Sequence, residues 1–227
     1  MPSRRLFIAA IAAFSIAGTA AHAMPLSHAP SVEQQNRLPV VEVASKKPKP
    51  EFMRKKVRLE TSEKPGTIII NTNTKYLYFV EGRNKATRYG VGVGRDGFGW
   101  GGTVKVGRKA EWPDWRPPAT MIRREAAKGR KIPHYVKGGI NNPLGARAMY
   151  LYKGGRDTIY RIHGTNQPWT IGLNMSSGCI RMMNKDVEHL YSRAPVGTKV
   201  IVIGPGKDAD RYYKDRGFDF FGTIFGG

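Results

Sequence analysis

The chain has 227 residues, a formal net charge of +21 and a single cysteine, Cys179, while 40% of its residues are hydrophobic. A lone cysteine excludes an internal disulfide and, in an exported chain with a histidine elsewhere, is a candidate nucleophile. The alternative is a small buried hydrophobic side chain. The roughly 160 residues from Gly66 onward suffice for one domain with a core, and the sequence shows no internal repeat.

The N-terminal residues predict export. Arg4 and Arg5 precede an apolar stretch at 6–16 and small residues up to Ala23, which is the pattern of a signal peptide over residues 1–23. The apolar stretch is shorter than the about 20 residues of a membrane span, so an uncleaved anchor is the less favoured alternative. We therefore expect a periplasmic protein that contacts the membrane only during export. The choice between the Sec and twin-arginine routes stays open.

The positive charge favours polyanionic partners. Export removes most nucleic acid from reach, and the basic run from Lys46 to Arg58 is interrupted by prolines and lacks a row of aromatic residues for stacking bases. We expect no nucleic acid partner, and we regard cell-wall carboxylates and outer-membrane phosphates as the targets. The alternative is a solvated charge run without a specific partner.

The chain divides by composition into a linker, a domain and a tail. Residues 24–65 are polar, basic and proline-bearing without a sustained apolar period, which predicts a linker. β-branched and aromatic runs separated by turn residues then predict a mainly β domain over 66–204. The tail at 205–227, rich in Phe and Gly, either docks on the core or stays mobile. Strands are predicted at 67–70, 76–80, 88–93, 103–106, 148–152, 158–162 and 200–203.

Two helices and two long loops complete this reading of the domain. Residues 121–128 and Asn184–Arg193 are predicted helices, and Asn184 is the expected cap of the second. A glycine-rich loop spans 94–102, and the segment 112–143 contains too many prolines for a packed element over most of its length. A loop of that length predicts a lid or a binding surface. The alternative is an insertion without a functional role.

The residues around Cys179 suggest acyl transfer. His163 ends an apolar strand, Gly164 breaks that strand, and 176–179 form a tight turn that exposes the thiol and aligns backbone N–H groups. A thiol with a nearby base and aligned amides is the minimum equipment for chemistry through a thioester.

These residues resemble the YkuD type of L,D-transpeptidase catalytic domain over about residues 66–203. The resemblance implies a β-sandwich or mixed-sheet fold, with a short helix after the nucleophile turn and a long loop or lid. One position departs from the family pattern, because Ser177 stands where many members carry a second histidine. The residues that carry the resemblance are Trp112, Pro113, Trp115, Pro117, Pro118, Met121, Gly138, Gly139, Asn142 to Ala148, His163, Gly164, Thr165, Pro168, Ile171, Gly172, Ser176, Gly178 to Met182, Asn184 and Asp186.

The resemblance implies a peptidoglycan transpeptidase. Cys179 would attack the bond between the diamino acid and D-Ala of a tetrapeptide stem, with His163 as base and the Gly164 carbonyl as its orienting partner. Backbone N–H groups of Ser177, Gly178 and Cys179 would stabilise the oxyanion. An amine of a second stem would resolve the thioester into a cross-link between third residues. Water, a free D-amino acid or the lysine of an outer-membrane protein are alternative acceptors, which would give an L,D-carboxypeptidase, an exchange enzyme or a protein-anchoring enzyme.

Further residues are expected to contact the stem peptide. Arg181 is placed to pair with a stem carboxylate, with structural bracing as the alternative. Ser176, Thr165, Asn142 and Trp169 are the other expected substrate-binding residues, whereas Trp115 is expected to pack in the core. No metal or cofactor is implied.

The rival functional class is a non-catalytic peptidoglycan-binding module. Thiol reactivity separates the two classes, because a low-pKa thiolate reacts with iodoacetamide well below pH 8 and an inert buried cysteine does not.

Overall fold

The structure is a computed structural model that describes residues 47–218. The predicted signal peptide, most of the predicted linker and the last residues of the tail lie outside the described residues. No helix within the described part of the chain is long and apolar enough to cross a membrane.

The described residues form twelve β-strands, two α-helices and two short 3₁₀ turns. The strands are β1 Lys55–Glu60, β2 Ile68–Asn71, β3 Tyr76–Gly82, β4 Lys85–Gly90, β5 Val93–Gly94, β6 Gly102–Glu111, β7 Arg147–Lys153, β8 Arg156–His163, β9 Asn174–Ser176, β10 Ile180–Arg181, β11 Lys199–Ile203 and β12 Lys214–Phe218. The helices are α1 Ala119–Ala126 and α2 Asn184–Arg193, and the 3₁₀ turns are Pro50–Phe52 and Pro168–Thr170.

Ten of these strands form one mixed sheet in the order β10-β8-β7-β6-β11-β2-β3-β4-β1-β12. The pairs β10–β8 and β11–β2 are parallel, and the other neighbours are antiparallel. The strands β5 and β9 pair separately in a parallel ribbon. The mainly β prediction is confirmed, and the mixed sheet takes the form of one curled surface.

The sheet buries apolar side chains on both faces. In β2, Ile68 and Ile70 enter one core while Ile69 enters the other, because successive side chains of a strand point to opposite faces. The neighbouring strand β11 alternates in the same way. Helix α2 covers the first face with Val187 and Leu190. A strand that is buried on both faces has a continuous run of apolar residues. This pattern is why the sequence predicts β2 and β11 as strands.

The boundaries predicted for the linker and the tail are wrong within the described residues. Strand β1 lies inside the predicted linker, and β12 lies inside the predicted tail, yet the two pair with each other in the main sheet. Val57, Leu59 and Tyr213 from these segments close the second core. Charged residues alternate with Val57 and Leu59 in β1. Because only one face of this strand is buried, its sequence has the pattern of a polar, basic stretch.

Both predicted helices are present. Helix α1 starts two residues earlier than expected and lies in the long connection between β6 and β7. Helix α2 has the predicted bounds, but its N-cap residue is Met183, without a side-chain cap. The side chain of Asn184 is used elsewhere, because its Oδ1 accepts hydrogen bonds from the backbone N–H groups of Ala146 and Thr165.

The role of β1 in the core is testable by truncation of one side chain. Leu59 is fully buried, so Leu59→Ala removes packed methyl groups and we expect the free energy of unfolding to fall by about 2–4 kcal/mol. The exposed neighbour Arg58 provides the control, and Arg58→Ala is expected to change it by less than about 0.5 kcal/mol. Urea denaturation measures both. Equal stability of the two variants would contradict the place of β1 in the fold.

Candidate active site

The site is built on the parallel pairing of β8 with β10. In this register, His163 at the end of β8 lies opposite Arg181 at the end of β10. Cys179 immediately precedes β10 and therefore enters from the same edge of the sheet. The carbonyl of His163 accepts a hydrogen bond from the backbone N–H of Met182 at 2.8 Å, which extends the pairing beyond the two strand residues.

His163 is a buried histidine held in one tautomer. Its Nδ1 lies 2.6 Å from the carbonyl oxygen of Gly164, and since a carbonyl only accepts, Nδ1 carries the proton in this contact. Burial lowers the pKa of His163 to about 3, and the positive charges of Arg181 and Arg161 act in the same direction. The imidazole is therefore neutral at neutral pH, and Nε2 is its unprotonated nitrogen.

Gly164 is required by close packing. A Cβ at this position would lie 2.2 Å from Asn184 Oδ1 and 3.0 Å from the backbone N of Ala146. The Asn184 oxygen thus ties the start of β7 to the residues after β8, and this contact leaves no room for a side chain on the residue whose carbonyl orients His163.

Cys179 is half-buried. Its thiol donates toward the carbonyl of Ile159 at 4.0 Å, and no hydrogen bond joins it to His163 within residues 47–218. Burial raises the pKa of the Cys179 thiol, although the backbone N–H and charge of Arg161 and the charge of Arg181 oppose this effect. The raised pKa keeps the thiol protonated at neutral pH in the free site. The geometry fits a thiol that is deprotonated by its base during attack.

Ile159 holds a strained backbone conformation beside the thiol. Its φ is 59°, in the left-handed region that β-branched residues avoid. The Asp157 side chain accepts a hydrogen bond from the Ile159 N–H at 2.8 Å, and the register between β7 and β8 shifts nearby. This bulge directs the Ile159 carbonyl at Cys179, and the Ile159 side chain itself is 64% exposed.

The nucleophile turn is braced from both sides. The Ser176 hydroxyl donates to the Cys179 carbonyl at 2.6 Å and accepts from the Gly178 N–H at 3.1 Å. Trp100 donates from its indole N–H to the Gly178 carbonyl at 2.8 Å, and its ring stacks on Tyr160 at 4.5 Å. Gly178 has a φ of 108°, and a Cβ there would meet the Tyr160 ring at 2.4 Å.

These contacts correct two of the expected roles. The N–H of Gly178 is already engaged, so it does not join the expected oxyanion set in this arrangement. The backbone N–H groups of Ser177 and Cys179 make no hydrogen bond within the described residues, which leaves both for a ligand. Ser176 uses its hydroxyl inside the turn rather than toward a substrate.

The thiol and the imidazole face one cavity of about 290 Å³. Helix α1 lies against its wall, because Arg124 donates to the Ser177 hydroxyl at 2.9 Å. Ser177, the residue that departs from the expected pattern, thus has a hydrogen-bond partner on this helix. The cavity is lined by Arg95, Trp115, Met121, Arg124, Glu125, Ile132, Pro143, Leu144, His163, Thr165, Asn166, Gln167, Met175, Ser176, Ser177, Cys179 and Arg181.

Only some of the expected substrate-binding residues line this cavity. Arg181 and Thr165 line the cavity, and the Thr165 hydroxyl accepts from the Gln167 N–H at 3.0 Å. Asn142 does not line it, because its buried side chain bonds the loop backbone at the carbonyls of 136 and 137 and the N–H of 144. Trp169 is 45% exposed and lies outside the lining. Trp115, expected in the core, is half-buried and lines the cavity.

Several contributors to the site had no role in the sequence prediction. Arg95 enters from the glycine-rich loop and Arg124 from the first helix, and sequence spacing gives no signal that joins either to Cys179. The strain at Ile159 has no sequence signature. Trp100 had a weak signal, since it is an aromatic residue within a glycine-rich loop. No group of three or more His, Cys, Asp or Glu side chains with metal-binding geometry occurs in the described part of the chain.

Comparison with known families decides the assignment of this arrangement. The family model of the YkuD L,D-transpeptidase catalytic domain matches residues 65–202. The chain belongs to this family. The match spans β2 to β11 and therefore includes His163, Cys179 and the strands that position them.

Curated relatives share part of their length with this chain. Probable L,D-transpeptidase YbiS of Escherichia coli K12 is 37% identical over 142 residues, covering 61% of this chain and 44% of the relative. Probable L,D-transpeptidase ErfK/SrfK of the same strain is 35% identical over 149 residues, covering 64% and 46%. The chain thus matches less than half the length of these relatives.

Solved structures are also similar. A crystal structure described as a probable carnitine operon oxidoreductase caia from Brucella melitensis is 48% identical, covering 67% of this chain and 94% of that chain, with a TM-score of 0.45. The L,D-transpeptidase from Mycobacterium smegmatis is 19% identical, covering 60% and 57%, with a TM-score of 0.44.

The buried neutral state of His163 predicts a pH-dependent stability. The unfolded chain takes up this proton near pH 6.5 and the folded chain only near pH 3, so acid favours unfolding between these values. We expect the wild-type free energy of unfolding to fall with decreasing pH more steeply than that of His163→Gln, by up to about 1.4 kcal/mol per pH unit. Urea denaturation at pH 4, 5, 6 and 7 measures the slopes. The exposed His134→Gln variant is the control, and parallel slopes for wild type and His163→Gln would contradict the assignment.

The strain at Ile159 predicts a stabilising substitution. Asn adopts left-handed backbone conformations more readily than Ile, so Ile159→Asn is expected to raise the free energy of unfolding by about 1 kcal/mol. The exposed β-branched residue Val196 has no positive φ, and Val196→Asn is the matched control without such a gain. Thermal and urea unfolding measure the difference. A loss of stability in Ile159→Asn would show that the side chain contributes more than its backbone strain costs.

Proposed function

We propose that this protein is an L,D-transpeptidase of peptidoglycan that forms a thioester on Cys179. The supporting observation is the shared cavity of Cys179 and His163, with His163 Nδ1 fixed 2.6 Å from the Gly164 carbonyl. A neutral imidazole with one unprotonated nitrogen is the state in which a histidine accepts a thiol proton.

The first half of the proposed reaction releases D-Ala. His163 Nε2 takes the Cys179 proton as Sγ attacks the carbonyl of the diamino acid at the third position of a tetrapeptide stem. The bond from this carbonyl to the D-Ala nitrogen breaks, and the imidazolium returns its proton to the departing amine. The N–H groups of Ser177 and Cys179 stabilise the oxyanion, an effect worth about 3 kcal/mol per donor in comparable sites.

The second half transfers the acyl group. An amine on a second stem attacks the thioester, loses its proton to His163 and forms a cross-link between third residues, while the thiol is regenerated. Water as acceptor would make the protein an L,D-carboxypeptidase, and a lysine of an outer-membrane protein would make it an anchoring enzyme. The proposed mechanism uses neither metal nor cofactor.

The proposed setting is the periplasm. The sequence pattern of 1–23 supports a cleavable signal peptide, and peptidoglycan stems with free carboxylates suit a chain of net charge +21. We propose a catalytic region that includes β1 and β12 in addition to residues 66–204, because both strands belong to the main sheet.

The proposal is tested with the purified mature protein and disaccharide-tetrapeptide fragments. We expect mass spectrometry to detect cross-links between third residues with the wild type and none with Cys179→Ala, whereas His163→Gln lowers the rate by about 10²–10⁴-fold. His134→Gln is the matched histidine control with unchanged rate.

The products also separate the alternatives. Tripeptides without cross-links would indicate hydrolysis, and unchanged fragments that bind to the protein would indicate a non-catalytic binding module. Cross-links that persist with Cys179→Ala would overturn the thioester mechanism. Treatment with a carbapenem gives an independent readout, since the proposal predicts a covalent mass increase located on Cys179.

A further inference from the structure

The cavity beside the thiol has an excess of positive charge. Its lining contains three arginines, Arg95, Arg124 and Arg181, and one acidic residue, Glu125. The Glu125 carboxylate bonds to Arg130, outside the lining, and to Arg124. Nη2 of Arg95 forms an ion pair with the same carboxylate at 4.0 Å, without a hydrogen bond. One carboxylate shared among these side chains leaves the wall next to Cys179 cationic.

Two guanidinium nitrogens in this wall are buried without a hydrogen-bond partner. They are Nη2 of Arg95 and Nε of Arg181. Nη2 of Arg95 keeps the ion pair with Glu125, and a buried N–H donor of a charged group is costly to leave without a hydrogen bond. Burial lowers the pKa of Arg181, the charge of Cys179 opposes this effect, and the positive charge of Arg95 adds to it.

The backbone fixes these two arginines beside each other. Arg181 exchanges backbone hydrogen bonds with Gly92 at 2.8 and 2.9 Å, three residues before Arg95. The N–H of Arg95 donates to the Ser176 carbonyl at 3.0 Å, so its own position is tied to the nucleophile turn.

An aromatic ring holds the Arg95 guanidinium in place. Its carbon Cζ lies 4.8 Å from the centre of the Phe98 ring, and Arg124 lies 5.0 Å from the same centre. A guanidinium held against a ring keeps its fork orientation, which suits the planar, bidentate geometry of a carboxylate.

We propose that Arg95 and Arg181 together form a binding site for a carboxylate of the donor stem peptide, next to the bond that Cys179 attacks. This inference rests on the proposed function for the identity of the ligand. A tetrapeptide stem offers two carboxylates near that bond: the side-chain carboxylate of a diaminopimelate residue and the C-terminal carboxylate of D-Ala. Arg95 is thus a specificity-determining residue contributed by the glycine-rich loop.

The test measures binding without turnover. Calorimetry with the Cys179→Ala protein compares a tetrapeptide containing diaminopimelate, the same peptide amidated on the diaminopimelate side chain, and the same peptide ending in D-alaninamide. We expect one of the two amides to bind at least about tenfold more weakly, and that amide identifies the recognised carboxylate.

Substitution of Arg95 tests whether this residue binds the recognised carboxylate. Arg95→Gln, added to Cys179→Ala, is expected to weaken binding of the free peptide about tenfold and to leave the Kd of the sensitive amide unchanged. Arg95→Lys keeps the charge without the fork and is expected to give an intermediate loss, and it carries the test if Arg95→Gln does not fold. The exposed Arg156→Gln variant is the matched control with unchanged Kd.

Two results would overturn the inference. One is an equal Kd for the free peptide and both amides, and the other is an Arg95 variant that weakens all three peptides equally. Turnover by the protein with Cys179 intact is measured separately. Carboxylate-selective binding without turnover would reject the proposed function alone, and turnover without selectivity would reject this inference alone.

Discussion

The site depends on two residues of parallel pairing between β10 and the end of β8. This contact sets His163 opposite Arg181 and delivers Cys179 to the same sheet edge. Parallel neighbours require a connection that leaves the sheet and returns, and here that connection is the segment that forms the nucleophile turn. Asn184 then locks the arrangement from the first turn of α2 through two backbone N–H groups. The chemistry therefore rests on backbone register more than on contacts between the reacting side chains.

In the free site the thiol and the imidazole are uncharged, whereas the side chains around them carry charge. Burial lowers the pKa of His163 and raises the pKa of Cys179, so both are neutral together. Three arginines line the same cavity. A thiol in this arrangement stays protonated in the free site, which limits its reaction with small electrophiles.

The central strands, both helices and the family could be predicted from the sequence, because apolar runs and a multi-part motif carry strong local signals. The pairing of Cys179 with His163 stays a prediction, which the cavity that they share supports. The sequence was insufficient for β1 and β12. Each contains several charged residues, and the two pair with each other across most of the described chain. Arg95 was missed for the same physical reason, since no local pattern joins a loop residue to a thiol more than eighty positions later. The roles of Asn142 and Asn184 were misjudged because amide side chains serve loop backbone and ligands equally well.

The pairing of β1 with β12 also has a kinetic consequence. Glu60 and Arg216 meet across this pair although they are 156 positions apart in the chain. Closing a loop of this length has an entropic cost, and contacts between residues far apart in the sequence slow folding. The second core takes residues from β1 and from the segment just before β12, so it is complete only when these two distant segments have come together. A continuous sheet built from segments this far apart is therefore expected to fold more slowly than one built from neighbouring strands.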